Sequence, residues 1–386
     1  MADALVSASL AARFSVSYGY DVHFTPDALH LEDATLAATL RDDGGGRLLA
    51  VLDAGLLAAQ PDLPDRLAAY GKRHFEDLEF VGDPIVLPAG ERVKDGMGHG
   101  APIRAAIAEH HLDRHAHVLA IGGGAVLDAA GFAAATAHRG VRLIRMPSTV
   151  LAQADAGIGV KNGVNACGQK NFIGTFAPPR GVINDASLLA TVSDRDWRAG
   201  MSEAVKVAAL KDVGFFTQLE ADAPALAARD SAAMHRLIRR CAQLHLQHIT
   251  GAGDPFETGS GRPLDFGHWA AHKLEQLSGF RLRHGEAVAL GIAVDTTYAR
   301  YTGLLRKSAW ERVMSLLAAL GSRTPVPELA DPRVLDGLGE FAEHIGGPLT
   351  LTTLTALGQG IDLRDIDRAA MTASVHHVDR WTRAAR

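Results

Sequence analysis

The stretch HAHVLAIGGGAVLDAAGFAAATAHRGVRLIRMPST, residues 115–149, constrains the fold of this chain more than any other. An apolar run ends in three glycines, Gly122, Gly123 and Gly124, continues as an Ala-rich helix, and returns as a second apolar run, VRLIRM. Strand, glycine turn, helix and strand in this order suit parallel strands joined by a crossover helix. The same alternation precedes it. RLLAVLD ends at Asp53 and passes into GLLAAQPDLPDRLAAYGK, a helical segment interrupted by proline. FEDLEFVGDPIVLP reads as a strand region, and VKDGMGHGAPIRAAIAEHHL as a helix. The first half is therefore expected to be an α/β domain around a parallel sheet.

From about Asp194 the pattern changes. DWRAGMSEAVKVAALKDVGFFTQLEAD, SAAMHRLIRRCAQLHLQHIT, HWAAHKLEQL, GEAVALGIAVDTTYARYTGLL and SAWERVMSLLAALG repeat apolar residues at helical spacing between Gly, Pro and Asp punctuation. At 386 residues two domains are expected, an α/β domain over 1–188 and a mainly α-helical domain over 189–386. A net charge of −5 with 22% charged residues argues against nucleic acid and anionic membrane surfaces as partners. Cys167 and Cys241 are the only cysteines, so no disulfide framework is expected and a reducing cytoplasm is the natural compartment. MADALVSASLAARFS lacks a basic segment leading into an unbroken apolar one, and no apolar run of about 18 residues occurs.

Several polar residues are candidates for chemistry. The glycine turn is suited to a pyrophosphate, because backbone N–H groups at a helix start can approach it and the macrodipole favours negative charge. A plain tight turn has the same sequence. Asp53 at a strand end could accept hydrogen bonds from ribose hydroxyls or simply cap a helix, and Asp128 could lie near the nicotinamide end or on a helix surface. Glu203, His268, His272 and His284 form a split set of metal-ligand types; two histidines and a carboxylate are what a catalytic zinc takes while keeping a fourth position open. Asp265, His268 and His272 follow i, i+3, i+7 spacing and would share one face of a helix. Glu203 and Lys206, one turn apart, could equally be an exposed ion pair. PSTVLAQADAGIGVKNGVNACGQKNFIGTFAPP reads as a long polar loop carrying Asp155, Lys161, Asn165, Lys170 and Asn171, suited to a polyhydroxylated phosphate ester, with a solvated surface hairpin as the alternative.

Seven ordered segments resemble motifs of the sugar-phosphate cyclases of the 3-dehydroquinate synthase superfamily, over about residues 50–305. PAGERVKD resembles the family's PxGExxK, GGGAVLD its GGGxxxD, PSTVLAQADAGIGVKNGVN its PTTLLAQxDxxxGxKxxVN and GQKNFIGTFAPP its GKNxIGxFxxP. MSEAVK resembles xAEVIK, FGHWAAH resembles xGHTFGH, and RHGEAVALG resembles LHGEAVxxG. The resemblance implies a Rossmann-like N-terminal domain, a helical C-terminal domain, bound NAD, a divalent metal (Zn²⁺ or Co²⁺) in the cleft between them, and a homodimer. It implies Glu203, His268 and His284 as metal ligands and His272 as a proton-handling neighbour. Asp53, Glu91, Lys94, Gly122, Gly123, Gly124, Asp128, Ser148, Thr149, Lys170 and Thr191 would contact NAD. Asp155, Lys161, Asn171, Lys206 and Asp265 would face a sugar phosphate, with Arg139 reaching the phosphate from the partner subunit.

Departures from the family pattern bear on the substrate. Where dehydroquinate synthase has a lysine 21 residues before the first histidine ligand, an arginine seven before it and an asparagine three before it, this chain has Gln247, Gly261 and Asp265. The lysine and arginine belong to recognition of a substrate carboxylate; Arg262 is displaced by one position, and a further family lysine has no clear match, the nearest stretch, GEFAEHIGGPLTLTTL, offering acids and His344. A buried carboxylate without compensation is expensive. The expectation is a neutral ketose phosphate, with sedoheptulose 7-phosphate cyclised to a valiolone-type carbocycle, as in 2-epi-5-epi-valiolone synthases. Dehydroquinate synthase itself, a metal-dependent polyol dehydrogenase, and a fold retained without catalysis are the alternatives.

Overall fold

The computed structural model describes residues 9–41, 46–74, 76, 78–251, 256, 262–345 and 348–384. The N-terminal half runs β1 (Asp21–Thr25), α1 (Thr35–Arg41), β2 (Gly46–Asp53), α2 (Ala54–Ala59), α3 (Leu63–Arg73), β3 (Leu78–Phe80), β4 (Ile85–Leu87), α4 (Ala101–Glu109), β5 (His117–Gly122), α5 (Gly124–Thr136), β6 (Arg142–Pro147), β7 (Lys161–Ala166), β8 (Gln169–Phe176) and β9 (Gly181–Asp185). Seven strands form one parallel sheet in the order β1-β9-β6-β5-β2-β3, with β4 also on β2. β3 pairs with the first half of β2 and β4 with the second. Both faces are buried, which is why the strands read as unbroken apolar runs. Leu48, Ala50 and Leu52 of β2 pack on one side with Leu36, Leu63 and Leu67, whereas Leu49 and Val51 pack on the other with Ile103, Ile107 and Ala130.

The C-terminal half contains α6 (Asp194–Ala199), α7 (Ser202–Lys211), α8 (Val213–Ala227), α9 (Ser231–Gly251), α10 (His268–Leu277), α11 (His284–Tyr301), α12 (Lys307–Ala319), α13 (Gly337–Ile345), the antiparallel hairpin β10 (Leu351–Ala356) and β11 (Gln359–Leu363), and α14 (Arg368–Arg383). The expected α/β architecture followed by helices is observed, with a hairpin that helical periodicity did not indicate. α11 is its axis: of its 18 residues, all from Ala287 to Ala299 are buried.

Two expectations change. The polar segment after β6 is not an irregular loop: one π-helical turn at Ala152–Ala156 leads into the antiparallel hairpin β7–β8. A fully buried guanidinium organises this region. Arg145 of β6 donates to Gly157 O (3.2 Å), Gly159 O (2.6 Å), Lys161 O (3.1 Å) and Asn162 Oδ1 (2.7 Å), so carbonyl dipoles rather than an acid accompany it. Secondly, Asp265 does not share a helix face with His268 and His272. It ends a short 3₁₀ turn, Arg262–Asp265, and Gly267 in the left-handed region (φ 81°) breaks the chain before α10 begins.

That break lets α10 meet α11 backbone to backbone. A Cβ on Gly291 would stand 1.9 Å from Gly267 O, and one on Gly267 would stand 2.6 Å from Ile292 N. Gly291→Ala is expected to destabilise the fold by about 1–3 kcal/mol, the usual cost of overpacking, measured as a lowered urea midpoint at unchanged m.

Candidate active site

Glu203 lies in the first turn of α7, while His268 and His284 are the first residues of α10 and α11. Helix starts suit the carboxylate and disfavour an imidazolium. The Glu203 side chain is 1% exposed; its Oε2 is ion-paired with Lys206, and its Oε1 faces the Nε2 atoms of His268 and His284, each 3.7 Å away. No hydrogen-bond donor reaches Oε1. A buried carboxylate oxygen in that position needs compensation, and a cation between it and the two imidazoles supplies it.

The far side of each imidazole is committed. His268 Nδ1 donates to Phe266 O (3.2 Å) and His284 Nδ1 donates to Glu275 Oε2 (3.0 Å), which leaves both Nε2 lone pairs turned to Glu203. Burial, then Lys206 and His284, push the His268 pKa well below its usual value, so the ring is the neutral form that a metal requires. The ligand atoms of Glu203, His268 and His284 lie within 4.8 Å of one another. This donor set fits a zinc-type ion with an open fourth position.

The glycine turn joins the C-terminal end of β5 to α5, beside the C-terminal end of β2. Here chain order diverges, β2 leading to β3 and β4 on one side and β5 to β6 on the other, the point at which open parallel sheets bind ligands. No side chain caps α5, so its first N–H groups are available to an anion. Gly123 has an ordinary φ of −70°, and a Cβ there would meet nothing closer than Thr149 Cγ2 at 3.5 Å. Neither backbone nor packing demands glycine at this position, which is what a surface reserved for a close external group looks like. Asp53 caps α2 through Oδ1 (Gly55 N, 2.8 Å) and takes Gly123 N on Oδ2 (3.3 Å). Ser148 N donates to Gly122 O at 2.9 Å. Buried Lys94 bonds Asp128 Oδ2 (2.6 Å) and Asn171 Oδ1. The cradle fits a dinucleotide.

The family model described as 3-dehydroquinate synthase N-terminal matches residues 84–199, and that described as 3-dehydroquinate synthase C-terminal matches residues 200–339. The chain belongs to the 3-dehydroquinate synthase family. A 3-dehydroquinate synthase of Xylella fastidiosa (strain M23) is 34% identical over 368 residues, covering 91% of this chain and 94% of that protein. Among solved structures, ValA, a 2-epi-5-epi-valiolone synthase from Streptomyces hygroscopicus subsp. jinggangensis 5008 with NAD⁺ and Zn²⁺ bound, superposes with a TM-score of 0.86 at 30% identity, over 96% of this chain and 99% of that one. A 2-deoxy-scyllo-inosose synthase complexed with carbaglucose-6-phosphate, NAD⁺ and Co²⁺ has a TM-score of 0.78 at 21% identity, over 92% of this chain and 96% of that one, a likeness of fold.

The remaining candidate residues fall into three groups. Lys206 is 4% exposed and sits among Glu203, Asp155 and Asp265, not in the exposed ion pair that its spacing from Glu203 allowed; burial opposes its charge, and the first two acids outweigh burial and raise its pKa. His272 stands beside the metal set, its ring 5.6 Å from that of His268 and 6.1 Å from that of His284. It lines a cleft of about 320 Å³ between the tip of β7–β8 (Gly168–Asn171) and helices α10 and α13. Lys161, at the start of β7, is exposed. Two residues stand apart. Arg139 is exposed at the end of α5 remote from the glycine turn, so it does not join this chain's own cleft. Thr191 is exposed and bonded to Gln60. Gly261 and the side chains of Arg262 and His344 lie outside the described residues.

Sequence reasoning missed Glu275 and His245. Glu275, 3% exposed, takes His284 on Oε2 and Lys170 on Oε1 (2.7 Å); Lys170 is also 3.8 Å from Glu91, whose Oε1 accepts Asn165 Nδ2 at 3.0 Å. Burial opposes ionisation of Glu275, but His284 and Lys170 prevail and lower its pKa. The signal was the face of α10 itself: His268, His272 and Glu275 follow i, i+4, i+7, so the stripe continues forward along the helix instead of back to Asp265. His245 faces the cleft from α9, where its Nδ1 is 2.6 Å from Asp155 Oδ1, whereas Gln247, which residue counting from His268 selects, is exposed.

Glu275→Gln is expected to weaken metal binding by about 10-fold, read by chelator competition, because the partner that orients His284 loses its charge. Asp295 of α11 generates a pH effect. It accepts Trp269 Nε1 (2.8 Å) and Gly267 N (2.9 Å), and burial raises its pKa from 3.8 to about 7. Between those values the folded state holds a proton that the unfolded state has lost, so the Asp295 contribution to stability falls as pH rises through the window. Urea midpoints should show Asp295→Asn gaining on the parent protein from about pH 4 to about pH 7 and running parallel above it.

Proposed function

We propose that this protein is an NAD- and metal-dependent sugar-phosphate cyclase that converts a neutral ketose phosphate, sedoheptulose 7-phosphate, to a carbocycle with loss of phosphate and no net redox change. The carrying observation is the charge around Lys206. This buried ammonium faces Glu203, Asp155 and Asp265 together. With Glu203 committed to the metal and to Lys206, a substrate carboxylate placed there would still meet Asp155 and Asp265, whereas hydroxyl groups could donate to both.

When bound, the metal supplies Lewis acidity toward a substrate oxygen, and NAD supplies reversible hydride acceptance. Glu203, His268 and His284 would hold the former. Gly122, Gly123, Gly124, Asp53, Lys94, Glu91, Asp128, Ser148 and Thr149 would hold the latter. Lys170, expected on NAD, is engaged by Glu275 and Glu91, so its place in this reading is to tie the hairpin to α10. Asp155 and Asp265 would orient ring hydroxyls, Lys206 would stabilise negative charge on the oxygen being deprotonated, and His272 would move a proton at a neighbouring hydroxyl. Lys161 and Asn171, with the partner subunit's Arg139 in a homodimer, would hold the phosphate through its departure.

A second reading, 3-dehydroquinate synthase, is favoured by the 34% identity to relatives of that name across nearly their whole length. The test compares the two substrates directly. Phosphate release and product mass with sedoheptulose 7-phosphate should exceed those with 3-deoxy-arabino-heptulosonate 7-phosphate by at least 10-fold in kcat/KM, about 1.4 kcal/mol of discrimination. The opposite preference assigns the second reading, and accumulation of NADH without phosphate release assigns a polyol dehydrogenase.

A further inference from the structure

Asp155 is held from two sides. Its backbone belongs to the π-helical turn whose following carbonyls, Gly157 O and Gly159 O, are taken by the buried Arg145. Its carboxylate is held from the opposite side by α9, 90 residues away in sequence, where His245 Nδ1 donates to Oδ1 at 2.6 Å. The imidazole fills the space against the turn, since a Cβ on Gly159 would lie 3.5 Å from His245 Nε2. The exposures are graded: Asp155 keeps 26% of its side chain accessible, His245 only 13%. The carboxylate is therefore the more accessible member of the pair, with the imidazole behind it. Burial opposes ionisation of Asp155, and His245 followed by Lys206 overcomes it, holding the group well below the usual carboxylate range.

We infer that His245 is a positioning residue for Asp155, locking one carboxylate oxygen so that the group presents a fixed acceptor to a substrate hydroxyl. The inference rests on the reading that Asp155 meets substrate hydroxyls. The three neighbours divide the work. Arg145 sets the backbone of the turn, Lys206 sets the charge beside it, and His245 sets the rotation of the carboxylate. Without the imidazole, the carboxylate can turn toward Lys206, which already carries Glu203. An acceptor displaced by about 1 Å from a reacting hydroxyl costs on the order of 100-fold in rate.

The test uses the holoenzyme, loaded with metal and NAD, and whichever of the two ketose phosphates the parent protein turns over faster. His245→Leu should lose on the order of 100-fold in kcat/KM, mainly in kcat, with metal content and NAD affinity unchanged. His245→Asn, whose amide N–H can replace the Nδ1 donor, should recover most of that loss. His245→Leu combined with Asp155→Asn should be no worse than Asp155→Asn alone, because the imidazole acts through that carboxylate. Parental kcat/KM in His245→Leu, or losses that multiply in the double variant, would overturn the inference. A substrate-independent arm separates it from the cyclase reading. Proton NMR of the resting enzyme should show a strongly hydrogen-bonded His245 ring N–H that is lost or moves upfield in Asp155→Asn. A resonance indifferent to that substitution overturns the inference whatever the substrate, whereas the expected shift in a protein that releases phosphate from neither sugar overturns the cyclase reading alone.

Discussion

The cleft is organised around the burial of one carboxylate. Glu203 is almost wholly removed from solvent, and Lys206 forms an ion pair with its Oε2 side only. Everything around it follows from that imbalance. Two imidazoles turn their Nε2 atoms to Oε1, which requires acceptors behind them; the backbone of Phe266 and the carboxylate of Glu275 serve. Glu275 then needs a cation of its own, and the β7–β8 hairpin delivers Lys170. Lys206 also faces Asp155, whose ionisation His245 and then Lys206 favour against burial. A chain of ion pairs and hydrogen bonds thus links α7, α10, α11, the hairpin and α9, and each member is buried beside a neighbour that compensates it.

How much of this the sequence disclosed depends on whether the signal is local. The β5–turn–α5–β6 unit is legible because strand, glycines and helix follow one another without interruption. Glu203, His268 and His284 are legible as types and through motif order, although only the fold brings their nitrogens to a common distance from one oxygen. The errors have geometric causes. Spacing predicted a continuous helix through Asp265, whereas one left-handed glycine, Gly267, ends the pattern there. Counting back from His268 places Gln247 where the family has its lysine; Gln247 is exposed, and the residue of α9 that bonds Asp155 is His245, two positions and about 200° away. Cys241, His245 and His248 recur along α9 as its more buried face, a pattern that could have pointed to His245. The hairpin is legible in the sequence only as the alternative to a functional loop, because β8 is largely exposed and what anchors the hairpin is Arg145 on a strand of the main sheet.

The parts of the cleft also differ in how they are supported. Asp53 and the glycine turn sit on adjoining strands of a sheet buried on both faces, so the cofactor side is as rigid as the core beneath it. The opposite wall is a two-stranded hairpin tied at its base by Arg145 and near its tip by Lys170. The cleft therefore has one wall set in the sheet and one held by two cationic anchors.

The glycine contact between α10 and α11 carries a further consequence. His268 follows Gly267 directly, and His284 opens the helix that carries Gly291, so the bite of the two imidazoles is gauged by main chain against main chain. Main-chain spacing does not respond to a change of side-chain volume nearby. The side chains around the cleft, Asp265 included, can consequently change without altering the spacing of the two imidazoles.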